Sequence, residues 1–251
     1  VSDPLNISYG NPQLKPQYSN SYELNYIKTW QHHMVSLSAY YRNTDNVIQR
    51  IRFLKDGVMN TTSENVSQSQ STGTEIVVKN QFFKKLDLTT TLNLLYYQLD
   101  GFSYLPENAT TPVVGEEQDN FTWNVRVMAQ VALPWSMTLQ ASGRYMAKNI
   151  IAQGYRKPSY TVDLGLKKSV KSWSFSFNVR DLFDSRKWRS VTSGENFELE
   201  SIHKGGGRRL NFSVSYSFGN LMPKRGKNQN QEMDNGAGED SSYDMGGGGE
   251  F

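Results

Sequence analysis

LNFSVSYSF, residues 210–218, decides the fold class. Leu210, Phe212, Val214, Tyr216 and Phe218 fall on one side of an extended chain. Asn211, Ser213, Ser215 and Ser217 fall on the other, and this period of two belongs to a strand with one apolar face. Upstream the pattern repeats. Trp173, Phe175, Phe177 and Val179 alternate with Ser174, Ser176, Asn178 and Arg180. Tyr160, Val162, Leu164 and Leu166 alternate with Thr161, Asp163, Gly165 and Lys167. Met137 to Tyr145 and Phe121 to Val131 follow the same rule, as does Leu86 to Tyr96. Ile76 and Val78 mark a shorter strand, Val35 to Tyr41 another, and Tyr22, Leu24 and Tyr26 the first, which makes nine expected strands and no helix.

The connections sort by length. Links near 30–33, 80–85, 132–136 and 168–171 are short, whereas those at 43–71, 101–118, 148–157 and 185–206 are long or polar, and the two kinds alternate. A transmembrane barrel has tight periplasmic turns at one end and extended extracellular loops at the other. A soluble sandwich has no reason to sort its loops in this way. Counting back from Phe218 puts every short link on the periplasmic side. Nine is odd, and an open edge in lipid leaves backbone groups unpaired at several kcal/mol each. The chain also begins at Val1 with no initiator Met or signal peptide. The expectation is therefore a C-terminal part of a larger barrel, residues 1–219, whose other strands and targeting segment lie upstream. Residues 220–251, rich in Gly, Asn and acids, are expected to form a flexible periplasmic tail.

Composition agrees with this reading. With 37% hydrophobic and 20% charged residues, no stretch approaches the ~18 apolar residues of a membrane-spanning helix. Barrel strands need only every second residue apolar, so they read as polar in bulk. There is no cysteine, which removes disulfides, thiolate metal sites and cysteine nucleophiles. A net charge of +3, mixed along the chain, gives no basic stripe for nucleic acid.

Three elements resemble a known family. GNPQLKPQYSNSYELNY (Gly10 to Tyr26) is similar to the element that opens the last third of TonB-dependent receptor barrels, especially those of Bacteroidetes. NVRDLFDSRKWR (Asn178 to Arg189) resembles the top of their penultimate strand, and GGRRLNFSVSYSFG (Gly206 to Gly219) their closing strand. The resemblance implies a plugged outer-membrane transporter of roughly 22 strands, energised through the TonB complex and inserted by the barrel-assembly machinery. The plug and the TonB-contacting box are not in this chain, and 33 residues follow Phe218, where such barrels usually end on the aromatic.

The candidate residues divide by face. Tyr26, Tyr41, Tyr96, Trp123, Tyr145, Tyr160, Trp173 and Phe218 share the apolar parity, and are expected to form a membrane girdle in contact with the lipid bilayer rather than a sugar-stacking platform. Glu75, Arg126, Arg144, Asp163 and Arg180 have the opposite parity and are expected to face the lumen, against water, a plug or a solute. His32 and His33 are adjacent and point apart if extended, so they do not form a shared metal site. His203 lies near Glu198 and Glu200 but offers little as a metal site. No nucleophile elbow is present, and neither catalytic residues nor a cofactor are expected. The reading is an all-β barrel segment of a TonB-dependent receptor-like importer of an unidentified solute. The alternatives are a non-transporting outer-membrane scaffold and a soluble carbohydrate-binding β-sandwich.

Overall fold

Alternation of apolar and polar residues with few helix formers drives the chain into strands, and no helix occurs among the described residues of the computed structural model, 5–106 and 111–218. The strands are Asn6–Ser8 (β1), Tyr18–Trp30 (β2), His33–Lys55 (β3), Val58–Phe82 (β4), Leu86–Leu99 (β5), Phe102–Tyr104 (β6), Val113–Gly115 (β7) and Gln118–Leu133 (β8). They continue with Met137–Met146 (β9), Asn149–Ile151 (β10), Gly154–Arg156 (β11), Ser159–Val170 (β12), Trp173–Arg180 (β13), Lys187–Gly194 (β14), Phe197–Lys204 (β15) and Arg209–Tyr216 (β16).

One sheet dominates. It has ten strands, of which nine run in the order β16-β13-β12-β9-β8-β5-β4-β3-β2, with β1 added in parallel on β4. Along the path each strand pairs antiparallel with its neighbour, and each of the nine corresponds to one strand expected from the sequence. The register makes the two faces continuous. Tyr26 lies opposite Leu37, Leu37 opposite Ile76, Ile76 opposite Leu92, Leu92 opposite Val125, Val125 opposite Tyr145 and Tyr145 opposite Tyr160. On the other face Asn25, Ser38, Glu75, Asn93 and Asn124 form an equivalent row.

The short links are tight turns at one end of the sheet. Gln31, Phe83, Lys84, Trp135, Ser136 and Lys171 all have positive φ there. This is the mirror-image turn geometry that matches the twist of the strands it joins. Nothing among the described residues packs on the apolar face of the sheet: Leu24 is 75% exposed and Tyr22 68%. The sandwich reading requires a second sheet on that face, and is set aside.

At the opposite end the structure departs from expectation. The segment 43–71, read as a loop, is a continuation of β3 and β4 into a long hairpin closed by Asp56 and Gly57, both at positive φ. The links 101–118, 148–157 and 185–206 likewise carry β6–β7, β10–β11 and β14–β15, and the last four strands form a second sheet in the order β10-β11-β14-β15. The buried hydrophobic cluster lies here, at the outer end of the main sheet: Ile51 at 0% exposure and Leu99 at 1% pack with Phe102 and Ala152. Burying side chains as large as Ile51, Leu99 and Phe102 is worth about 1.5–3 kcal/mol each. At the other terminus β16 ends at Tyr216, so Phe218 stands two residues past the last pairing and is largely exposed, rather than within the strand. The tail 220–251 lies outside the described residues.

A bulge makes the switch between the two regions. Between Thr44 and Val47 the β3–β4 register slips, because β3 carries an extra residue there, with Asn46 at φ 56. Between Val47 and Ile48 β4 carries one in turn, so the register is restored at Ile48 and Asn65. Before the slip the even-numbered Tyr40, Arg42 and Thr44 face the polar concavity, whereas after it the odd-numbered Val47, Ile51 and Phe53 are the buried ones. One extra residue exchanges the faces of a strand. Asn65 fixes the bulge, donating from Nδ2 to the Asn46 carbonyl at 2.9 Å.

Candidate functional site

The polar face is concave. A cavity of about 910 Å³ is lined by Glu23, Ser38, Arg42, Glu75, Asn93 and Asn124, with further residues from β2 through β9. Glu75 is thus in the concavity, flanked across the strands by Ser38 and Asn93. Ser38 donates its hydroxyl to Glu23 Oε1 at 3.2 Å and also contacts Asn25. Tyr40 lies over Gly73, where a Cβ would come within 2.3 Å of the phenol oxygen, so glycine there makes room for the ring.

The other polar-face candidates sit elsewhere on the same surface. Arg126 and Arg144 are direct cross-strand partners, and Arg180 is opposed in the same way by Arg209. Like charges directly opposite are destabilising. Asp163 is engaged by the fold itself, since its Oδ1 accepts the Asp181 backbone N–H at 2.7 Å. It therefore anchors the turn that follows β13 through this oxygen.

That turn is the NVRDLFD element. Asp181, 1% exposed and at φ 55, accepts the Ser185 amide at 2.8 Å and hydroxyl at 3.1 Å through Oδ1, and the Arg186 amide at 3.0 Å through Oδ2. Burial alone would raise its carboxyl pKa. The amides of Arg186 and Ser185, the Ser185 hydroxyl and the Arg186 charge outweigh burial and hold it below the usual carboxylate value. Ser185 also donates to the Tyr160 carbonyl at 2.9 Å, which ties the turn back to β12.

Above the concavity the long hairpin and the second sheet are joined through the Gln153 and Arg52 side chains. Gln153 accepts the Arg52 amide at 2.7 Å and donates to the Arg52 carbonyl at 2.9 Å, acting as a peptide group on the hairpin edge. The Arg52 guanidinium reaches Thr192 Oγ1 at 3.2 Å and Ser201 Oγ at 3.5 Å. Reasoning from the sequence misses these residues because it places them in solvated loops. Two marks are present in it nonetheless: the Asp56-Gly57 dipeptide, a hairpin signal, and Arg50 and Arg52 at a spacing that puts both on one side of a strand.

The aromatic candidates lie on the apolar parity and meet in pairs. Trp123 and Tyr145 have ring centroids 4.8 Å apart, Tyr22 and Tyr41 stack at 6.5 Å, and Trp173 meets Tyr216 at 4.7 Å. Tyr96 donates its hydroxyl to Asp119 at 3.0 Å. Tyr26 and Tyr160 are more than half exposed. His33 bonds Asn80 at 2.8 Å and packs between Trp30 and Phe82, while His203 stacks on Trp188 and Glu200 pairs with Lys157 at 2.7 Å. These side chains are used in packing and pairing, and among the described residues no three potential ligands converge on a metal position.

A dominant sheet of nine successively antiparallel strands with one bare apolar face, aromatic pairs and a polar concavity defines a membrane β-barrel wall. The sequence model of the outer membrane protein beta-barrel family matches residues 1–216, and the chain belongs to that family, a protein of the outer membrane. Among solved structures it is similar to the ferric yersiniabactin uptake receptor FyuA from Yersinia pestis, with a TM-score of 0.55 at 14% identity over 80% of this chain and 30% of that one. The FrpB iron transporter from Neisseria meningitidis (F3-3 variant) aligns with a TM-score of 0.49 at 12% identity, over 84% of this chain and 33% of that one. The chain spans about a third of the length of these receptors. At such identities the likeness is one of fold. No curated protein matches the chain significantly in sequence.

Proposed function

We propose that this chain is wall and outer-loop structure of a TonB-dependent receptor-like importer, and that its polar concavity is part of the solute path. The apolar face with Tyr26, Tyr41, Tyr96, Trp123, Tyr145, Tyr160, Trp173 and Phe218 meets lipid; the face with Glu75, Arg126, Arg144 and Arg180 lines the lumen; the tight turns are periplasmic. Asp163 belongs to the lumen face but serves the turn. Further strands and a plug, supplied by the rest of the protein, complete the barrel, and energy comes from the TonB complex. The motif resemblance further suggests the Bacteroidetes branch.

The observation that carries this reading is the cavity of about 910 Å³ on the polar face, lying beneath hairpins that are folded and cross-braced rather than loose. The opposed arginine pairs Arg126–Arg144 and Arg180–Arg209 support the same view, because their mutual repulsion is relieved when something anionic or well solvated faces them. The test is solute depletion from medium by cells carrying the full-length protein, with and without a protonophore. Depletion that stops when the inner-membrane gradient collapses is the expected result. Equal depletion by cells lacking the protein removes the transport reading in favour of a scaffold.

A further inference from the structure

We propose that the cleft between the β3–β4 hairpin and the β10-β11-β14-β15 sheet is an oxyanion site, which takes a carboxylate or phosphate group of the solute. The solute's passage here rests on the transporter reading, whereas the chemistry of the cleft is its own. Arg50, Arg52 and Arg156 line a cavity of about 240 Å³ together with Tyr97, Asn149 and Ser190, and no carboxylate lines it. Arg50 and Arg52 project from one side of β3. Arg156 stands opposite them on β11, directly across from Ser190, which in turn faces Ser201.

The cations in this cleft lack a counter-charge. The one ion pair among the described residues joins Lys157 to Glu200 and involves none of these arginines. Arg52 is partly buried, and its hydroxyl partners Thr192 and Ser201 accept hydrogen bonds without neutralising it. Burial, and then the charge of Arg50, make Arg52 hold its proton less tightly than an ordinary arginine. Tying the hairpin to the sheet would need one arginine, and that tie is already made by Gln153. Three arginines around one small cavity, with hydroxyl and amide donors beside them, instead match the planar, multi-oxygen geometry of a carboxylate or phosphate.

The place of the cleft fits a solute rather than a lipid headgroup. Gln49, Arg50, Tyr97 and Asn149 line both this cavity and the large polar concavity, so the two adjoin. A solute anchored here by its anionic group would hang its remainder into the lumen.

The test uses the purified full-length protein in detergent, with citrate and inorganic phosphate as probes and glycerol as a neutral control, followed by calorimetry. Because Arg52 also contacts the second sheet, the informative variant is Arg50→Gln with Arg156→Gln, both exposed. The expected result is citrate binding that weakens with salt, falls at least tenfold in the double glutamine variant and recovers in part in the double lysine variant. Glycerol does not bind. Equal citrate affinity in wild type and the double glutamine variant, or none in wild type, overturns the site. Arginine-dependent citrate binding by a protein without energy-dependent uptake would keep the site and remove the transport reading. Energy-dependent uptake with no arginine-dependent anion binding would do the reverse.

Discussion

The main sheet and the hairpin cluster beyond it are made of the same unit, the antiparallel hairpin, yet they hide different things. In the sheet the large apolar side chains, Leu24 and Tyr22 among them, are bare. In the cluster Ile51, Leu99, Phe102 and Ala152 are closed in, as in any water-soluble protein. Strand β3 belongs to both, and a bulge near Asn46 separates its two behaviours. The chain thus carries two solvents in one hairpin. Below the bulge an exposed leucine satisfies the environment; above it the same residue would have to be covered.

That contrast can be broken experimentally. The largest effect is expected from Ile51→Ala, which empties the cluster's most buried position and should destabilise it by about 2–5 kcal/mol. Hydrogen exchange would show amides of the outer hairpins losing protection while those of β8 and β9 keep theirs; loss spread evenly over both regions would mean the cluster has no core of its own. Next is Leu92→Arg at the middle of β5, expected to cost ~2–4 kcal/mol in urea titrations of the full-length protein in vesicles. Gln140→Arg, on the polar face of β9, should leave the midpoint nearly unmoved. Similar losses from both would mean that the faces have been assigned wrongly.

Asp181→Ala is expected to have a smaller effect, about 1–3 kcal/mol, through the Ser185 and Arg186 amides it leaves unpaired. Its sign with pH follows from the lowered carboxyl pKa. The ionised form stabilises the folded turn above the ordinary value of 3.8, and that contribution is lost as pH falls through the folded-state value. Wild type and Asp181→Ala should therefore differ at neutral pH and converge in acid when thermal unfolding is followed across the range. A difference that is constant with pH would show that the carboxylate charge plays no part. The smallest effect belongs to Lys157→Met: it breaks an exposed pair and should leave the melting temperature unchanged within error.

The membrane sheet is legible in the sequence because its pattern is strict. Each of its nine path strands can be read from alternation, and the short turns fall where parity puts them, since a lipid-facing residue cannot be polar without cost and a tight turn cannot hide a strand. The outer region is not legible, for a reason visible in β3 itself. Val47, Ile51 and Phe53 share the odd parity of Leu37 and Tyr41, so alternation carried through Asn46 would put them on the bare apolar face, and the polar Asn43, Asp45, Asn46 and Gln49 between them read as a loop. In β4 the run from Asn60 to Ser71 is polar on both faces apart from Val66, and its strand character comes from pairing rather than from composition. The candidate residues divide in the same way. Glu75 lines the concavity on the parity read from the sequence, whereas Asp163, of the same polar-face parity, also accepts the Asp181 amide, a partner brought to it by a turn whose shape no alternation reveals. Arg50, Arg52 and Arg156 escape notice because arginines in an expected loop look merely solvated.

The Gln153 amide on the edge at Arg52 has a mechanical consequence. It couples the tip of one hairpin to a sheet carried on the far ends of β9, β12, β13 and β16. A pull on the hairpin tip is therefore shared among strands on the opposite flank instead of being absorbed locally. The lengths of the three projections are also matched to one another, because adding or removing a pair of residues in any one of them would slide glutamine and backbone out of register by roughly 7 Å. The outer surface would then drift in sequence at its tips and faces while keeping these lengths in step.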